Sequence, residues 1–321
     1  MSSGAAKIAV KVTDVVEVNE LVKRFRFERI DGELMPTFSG GAHTVVEMID
    51  DGLPRLNPYS LMSSPLDRSA YTISVRRDDE GRGGSLFMHN HVRKGMEMTI
   101  SNPVNLFSLD LRARKHLMIA GGIGITPFLA QIAQLDNSNG NFELHYAVRT
   151  KSLGSYVDEL TTKHPNNVNI YYDDQDEAID LNNLLDGQPL GTHIYVCGPK
   201  GMIDWVRKSA EAAGWPREVV HYEEFLAPEP GKPFEVKLAV SNKVIQVGET
   251  QSLLEAIEAA GVDAPYLCRG GACGMCETDV IGYDGKFIHN DHWLEDAEHN
   301  SGKKIMPCVS RFEGKTLVLD R

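Results

Sequence analysis

The sequence predicts a multi-domain chain of α/β and β architecture in three consecutive blocks: an antiparallel barrel, a parallel α/β sheet and a small cysteine-bearing domain. Three observations carry that expectation. Residues 1–108 hold short runs of alternating apolar and polar positions. Over 109–226 apolar strand-like runs alternate with helix-like ones. Residues 227–233 hold three prolines, and the block beyond them, 234–321, carries four of the five cysteines.

In the first block, Lys7-Ile8-Ala9-Val10-Lys11-Val12, Thr44-Val45-Val46-Glu47-Met48 and Tyr71-Thr72-Ile73-Ser74-Val75 follow the period of two that half-buried strands require. Asp31-Gly32 and Ser39-Gly40-Gly41 separate the runs as turns, and the whole reads as a barrel. Tyr59-Ser60-Leu61 closes a strand that begins at Pro54. Gly81-Arg82-Gly83-Gly84-Ser85 offers backbone N–H groups, a hydroxyl and a guanidinium, which are the ingredients of a phosphate site, although the same run also suits a plain hairpin.

The second block opens on the apolar strand His116-Leu117-Met118-Ile119-Ala120, followed by a helix over Pro127–Leu135. Between them lies Gly121-Gly122-Ile123-Gly124-Ile125-Thr126-Pro127. A glycine-rich strand-to-helix turn lets a phosphate or ring approach the backbone at the positive end of a helix, and proline suits the first helical turn. Further strands are Glu143–Val148 and Ile194–Cys197, the latter leading into a helix through Val206. Strands alternating with helices predict a parallel sheet, whose ligands bind beyond the carboxyl ends of its strands. Cys197-Gly198-Pro199 stands at such an end, where a small thiol can touch a flat ring. Tyr171-Tyr172-Asp173-Asp174 stands at another, where a carboxylate accepts from a ribose 2′-OH and repels a 2′-phosphate, favouring NADH.

The run 227–233 cannot continue a helix or a strand ladder and reads as an extended linker. After it, Phe234–Val240 and Lys243–Val247 form a predicted hairpin, and Ser252–Ala260 an amphipathic helix capped by Gly261. Cys268, Cys273, Cys276 and the distant Cys308 follow the C-x4-C-x2-C…C spacing of a plant-type 2Fe–2S cluster. The small residues between them let the backbone wrap an inorganic core, and a zinc site would instead pair two C-x2-C knuckles. His289-Asn290-Asp291-His292 reads as a surface turn, and Trp205, Trp215 and Trp293 as packing residues.

A formal charge of −12 argues against a nucleic-acid partner and suits docking to a basic protein patch. No apolar run approaches a membrane span, and the first residues lack the apolar core of a secretory signal, so a cytoplasmic protein with no membrane contact is expected.

Taken together, Tyr59-Ser60-Leu61, Gly83-Gly84-Ser85, Gly121–Pro127, Cys197-Gly198-Pro199 and the cysteine quartet resemble the ferredoxin–NADP reductase superfamily. The block order resembles phthalate dioxygenase reductase and its relatives, the reductase components of Rieske-type oxygenases. The runs Asn57–Leu61, Gly122–Leu129 and Leu317–Asp320 look most like the carnitine monooxygenase reductase branch. The resemblance implies a flavin-binding barrel over 1–108, a Rossmann-like NAD-binding domain over 109–226 and a β-grasp 2Fe–2S ferredoxin domain over 234–321. It implies a path from NADH through FMN, rather than FAD, to the cluster and on to a terminal oxygenase.

The resemblance also implies roles. Tyr59 packs on the flavin ring with Leu61 beside it, and Ser60 lies near flavin N5. Gly122, Gly124, Thr126, Cys197, Gly198 and Pro199 surround the nicotinamide and its phosphates. Glu223 is a polar partner of the ring, and Phe225 covers it. Ser60, Cys197, Glu223 and Phe225 are the expected catalytic set. Asn57 occupies the place of the family's usual arginine. The flavin phosphate is therefore expected on Arg82, Ser85 and Arg76, with Arg55, Ser74, Gly83 and Gly84 in the same site. The remaining alternatives are a reductase of a di-iron or haem monooxygenase and a non-enzymatic redox adaptor.

Overall fold

The computed structural model describes residues 6–50 and 52–321; the N-terminal segment read above for a secretory signal lies largely outside them. The first block is an antiparallel sheet of β1 (Lys7–Asn19), β2 (Val22–Arg29), β3 (Ala42–Asp50), β4 (Leu53–Ser60), β5 (Tyr71–Arg76), β6 (Glu97–Ser101) and the short β7 (Val104–Asn105). Their order is β4-β3-β6-β1-β2-β5, with β7 on β3, and the two end strands lie against each other. The predicted alternation is realised: Ile8, Val10 and Val12 face a core shared with Phe25, Phe27, Tyr71 and Ile73. Gly83-Gly84-Ser85 does not make a hairpin. It opens the helix α1 (Gly84–Asn90).

The second block is wholly parallel. Its strands are β8 (Lys115–Gly121), β9 (Phe142–Val148), β10 (Val168–Tyr172), β11 (Thr192–Cys197) and β12 (Val220–Glu223), in the order β10-β9-β8-β11-β12. The helices α2 (Thr126–Ser138), α3 (Val157–Lys163), α4 (Leu181–Asp186) and α5 (Lys200–Ala212) connect them. Every residue of β11 is buried, as a central parallel strand covered on both faces must be. The order in which strands are added reverses between β8 and β11, which makes a crevice at their carboxyl ends.

The third block pairs β13 (Phe234–Leu238), β14 (Lys243–Val247), β15 (Thr278–Ile288), β16 (Lys304–Ile305) and β17 (Arg311–Leu319) in the order β14-β13-β17-β15-β16. Only β13 and β17 run parallel in this sheet, the mark of a β-grasp, and α6 (Leu253–Ala259) packs across it. Ser252 and Glu255 cap α6 reciprocally. The short helix α7 (Asp296–Ser301) precedes β16. The linker 227–233 has no regular structure but is not a free tether: the Arg311 guanidinium donates to the carbonyls of Gly231, Lys232, Gly248 and Gln251.

Two expectations are corrected here. The 289–292 segment is not a surface turn. Asp291 is buried because its carboxylate accepts from Leu294 N, Ser310 Oγ and His299 Nε2. Trp205 and Trp293 are about half exposed rather than packed inside; Trp215 does pack against the α5 core. No helix among the described residues is long and apolar enough to cross a membrane.

Candidate functional site

The nucleotide crevice is built by close backbone approach. At Gly124 a Cβ would stand 2.3 Å from the Cys197 carbonyl oxygen, so only glycine lets the turn after β8 close against the end of β11. Thr126 Oγ1 donates to Ile123 O, and Tyr146 donates to Gly122 O, which fixes the turn ahead of α2. Pro127 occupies the first turn of α2. Gly198 and Pro199 leave β11 against the same turn. Asp173 and Asp174 lie exposed just beyond β10, at the same edge of the sheet.

Beside this turn, Cys197 and Glu223 pair across β11 and β12. Cys197 is buried, and Glu223 is half-buried with its Oε2 shut off from water. Burial first, then the charges of Glu223 and Glu224, pushes the Cys197 thiol far up, so it stays neutral. Burial pushes Glu223 up to about 8, and its Oε2 has no hydrogen-bond partner. An acid in such a place is protonated at neutral pH and can donate to a ring atom brought beside it. Phe225 follows on the chain, half exposed.

A pH dependence follows. The unfolded carboxyl loses its proton above about 4.5, and the folded one above about 8. The folded state thus holds the extra proton, and its stability falls as pH rises between those values and levels off above them. Glu223→Gln, which mimics the protonated acid, is expected to flatten that slope in denaturation curves. It is also expected to remove the alkaline limb near pH 8 from the rate of reduction by NADH in rapid mixing. An unchanged limb in the variant would assign it to another group.

On the barrel, Tyr59 and Ser60 end β4, with Asn57 donating to the Tyr59 hydroxyl. Asn57 also packs on the start of α1, where a Cβ on Gly84 would stand 2.2 Å from its Nδ2. Gly83, at φ 97, is the N-cap of α1 and supplies no side-chain cap, so the first-turn amides remain for an anion, which fits a flavin phosphate. Ser85 bonds the backbone of Asp78, and Ser74 bonds the hydroxyl of Tyr156 at 2.5 Å, joining the barrel to the parallel sheet. Arg76 is exposed.

Two of the three arginines expected at the phosphate site, Arg82 and Arg55, have protein partners instead. Arg82 Nη1 meets Glu255 Oε2 at 2.6 Å, and both side chains are almost fully buried, at 5% and 2% exposure. Arg82 Nη2 donates to Leu56 O and Asn57 Oδ1, and Leu56 N donates to Glu255 Oε1. Arg55 pairs with Asp50 and reaches the Thr250 carbonyl. A carboxylate from α6 therefore takes the guanidinium that the sequence assigned to the phosphate. Nothing near Glu255 in the sequence announces this role, because its partner lies 173 residues away.

The four cluster cysteines converge. Cys276 Sγ and Cys308 Sγ are 3.3 Å apart, and Gly270 N donates to Cys268 Sγ at 3.4 Å. A hydrogen bond from Cys273 and N–H groups of Gly270, Ala272 and Cys273 pull Cys268 down to about 5 against the opposing effect of burial. The hydrogen bond with Cys276, with burial, pushes Cys308 far up. Amides aimed at sulfur favour thiolates, the form that binds iron, so the set fits a 2Fe–2S core. Gly274, at φ 75, leaves room for the Trp293 ring, which a Cβ there would meet at 2.2 Å. Arg269, buried beside Cys268, pairs with Glu258 and lies over Tyr266. The loop also lies close to the other two blocks: a Cβ on Gly270 would stand 3.9 Å from Pro58 on β4 and from the Leu226 carbonyl.

The sequence matches two family models: the N-terminal domain of dimethylamine monooxygenase subunit DmmA-like proteins over residues 99–220, and the 2Fe-2S iron-sulfur cluster binding domain over 236–313. It is 46% identical to a carnitine monooxygenase reductase subunit of Acinetobacter baumannii, with all of both chains covered. It is 43% identical to a heme-dependent oxidative N-demethylase beta subunit of Ectopseudomonas mendocina, over 97% of this chain and 98% of that one. A solved structure of phthalate dioxygenase reductase, described as a modular structure for electron transfer from pyridine nucleotides to [2Fe-2S], superposes with a TM-score of 0.89 at 33% identity, covering 98% of each chain.

Proposed function

This chain belongs to the phthalate dioxygenase reductase-like family of oxygenase reductase subunits, and on that footing we propose how its own residues run the electron path. It is an oxidoreductase that delivers electrons to an oxygenase through a 2Fe–2S domain. NADH enters the crevice between β8 and β11, with Asp173 or Asp174 on the ribose and Thr126 and Cys197 beside the nicotinamide. FMN lies along Tyr59-Ser60-Leu61 with its phosphate at Gly83-Gly84-Ser85 and within reach of Arg76. A flavin takes two electrons as a hydride and releases them singly, and a plant-type cluster, near about −400 mV, takes one at a time. Protonated Glu223 and neutral Cys197 hold the rings without adding charge, and Phe225 closes the site. Cys268, Cys273, Cys276 and Cys308 hold the iron.

The observation that supports this reading is proximity. The cluster loop lies close to Pro58 of β4, one residue from Tyr59, and close to Leu226, the residue after Phe225. Such proximity puts electron exchange within a short through-space path. We place the domain limits at 1–108, 109–226 and 234–321 with the linker between, in line with the three sheets. Five free cysteines suit a reducing cytoplasm.

The test is spectral and kinetic. Purified protein is expected to contain iron and a flavin that chromatographs as FMN; zinc in place of iron, or FAD, would overturn those assignments. NADH is expected to outperform NADPH by at least about tenfold in kcat/KM, since a carboxylate at the ribose repels a 2′-phosphate. Equal values would remove Asp173 and Asp174 from that role. The oxygenase partner is proposed to be a Rieske protein acting on a quaternary amine such as carnitine, by likeness to the 46% identical subunit. A second reading, a haem-dependent N-demethylase partner, is favoured by the 43% identical beta subunit. Reconstitution with each oxygenase type, read as NADH-coupled product formation, separates the two.

A further inference from the structure

His289, just after β15, Asp291 and His299, on α7, converge inside the third block, with Asp291 close to Gly271 of the cluster loop. Their ligand atoms lie within 4.8 Å of one another. His299 Nε2 is 3.2 Å from Asp291 Oδ2, and His289 Nδ1 is 3.7 Å from Asp291 Oδ1. Zinc bonds of about 2.0–2.2 Å at tetrahedral angles set neighbouring ligand atoms about 3.3 Å apart; the 3.2 Å spacing matches that edge, and the 3.7 Å spacing, to the other carboxylate oxygen, exceeds it by a few tenths of an ångström. The Asp291 side chain is fully buried and that of His289 is 12% exposed. Neither ring nitrogen of His289 has a hydrogen-bond partner. A buried imidazole with no partner for either nitrogen is positioned to accept a ligand there.

The surroundings are those of a metal ligand set. Asp291 is oriented by Leu294 N and Ser310 Oγ, as ligating carboxylates are by their own hydrogen bonds. The two imidazoles stack, with centroids 4.1 Å apart, so both present nitrogen edges to one carboxylate. His299 is partly open to solvent, which leaves an entry path and a place for a water ligand.

We propose that His289, Asp291 and His299 form a structural site for a divalent cation of the zinc class, with water completing the coordination. Two imidazoles and one carboxylate are borderline donors, which suit zinc and cobalt better than calcium or magnesium. The ion ties the end of β15 to α7 across the segment that covers the cluster loop. In that segment His292 N donates to Gly271 O, and Trp293 lies against Gly274. The site thereby braces the wall of the 2Fe–2S pocket and takes no part in redox chemistry itself.

The experiment uses the intact holoprotein, equilibrated with zinc and passed over a desalting column, with zinc and iron measured together. The expected result is about one retained zinc per chain with iron content and visible spectrum unchanged, and retention weakened more than tenfold in His289→Gln and in His299→Gln. X-ray absorption at the zinc edge of the unaltered protein should show a light-atom shell at about 2.0–2.1 Å with imidazole scattering. No retained zinc, retention in both variants equal to that of the unaltered protein, or a sulfur shell near about 2.3 Å with iron lost would each overturn the proposal. The absorption measurement needs no variant, so a misfolded substitution leaves the proposal testable.

Discussion

Cys273→Ser is expected to leave NADH oxidation with ferricyanide within about twofold of the unaltered protein while lowering cytochrome c reduction and oxygenase-coupled turnover by about a hundredfold or more. A serine hydroxyl is a harder and poorer ligand for iron than a thiolate, so the cluster is lost or left incomplete. The nucleotide crevice and the β4 strand lie in other sheets and keep their geometry. Ferricyanide takes electrons from the flavin, whereas protein acceptors need them delivered at the surface of the third block. Circular dichroism and flavin content establish that the variant is folded. Loss of both activities in a folded, flavin-loaded variant would refute the modular path. Retention of both would take the cluster off it.

Much of this machinery was legible in the sequence because it is local. The C-x4-C-x2-C spacing, the turn Gly121–Pro127 and the strand end Cys197-Gly198-Pro199 each place their chemistry within a few residues, and the fold brings them out as read. The alternation of residues 7–12 fixed a strand because one face had to be buried. What could not be read was set by pairing at long range. Arg82 carries the features of a phosphate ligand, and nothing near it in sequence announces a carboxylate from α6. Asp291 looks like a polar turn residue until Ser310, just before β17, and His299 of α7 come against it. Asn57, where an arginine is usual, makes sense once Arg82 is seen to donate to its side-chain oxygen: the two residues share one buried network between β4 and α6.

That network leads to the second large effect. Glu255→Gln is expected to slow reduction of cytochrome c by about tenfold or more while NADH–ferricyanide activity stays within about twofold, because it loosens the third block from the barrel without touching the crevice. Glutamine keeps the capping geometry of α6, since Gln also serves at that position, so the substitution isolates the charge. What it leaves behind is a guanidinium 5% exposed with no counter-ion, and breaking a buried pair in this way costs about 3–5 kcal/mol. The structure can relieve that cost most cheaply by letting water in between β4 and α6, which moves the cluster loop away from Pro58. Hydrogen exchange should then rise at Leu56 N, whose acceptor is Glu255 Oε1, while the β11 amides stay protected. Arg82→Met alone is expected to lower cytochrome c reduction as well, by stranding the Glu255 carboxylate. The double variant Arg82→Met with Glu255→Gln is expected to recover part of the loss, since two neutral groups can pack where one stranded charge cannot. A different pattern would return Arg82 to the flavin phosphate: Glu255→Gln without effect on either acceptor, and Arg82→Met releasing FMN. The partial recovery in the double variant is the decisive reading, because a phosphate ligand lost from the barrel could not be restored by a change on α6.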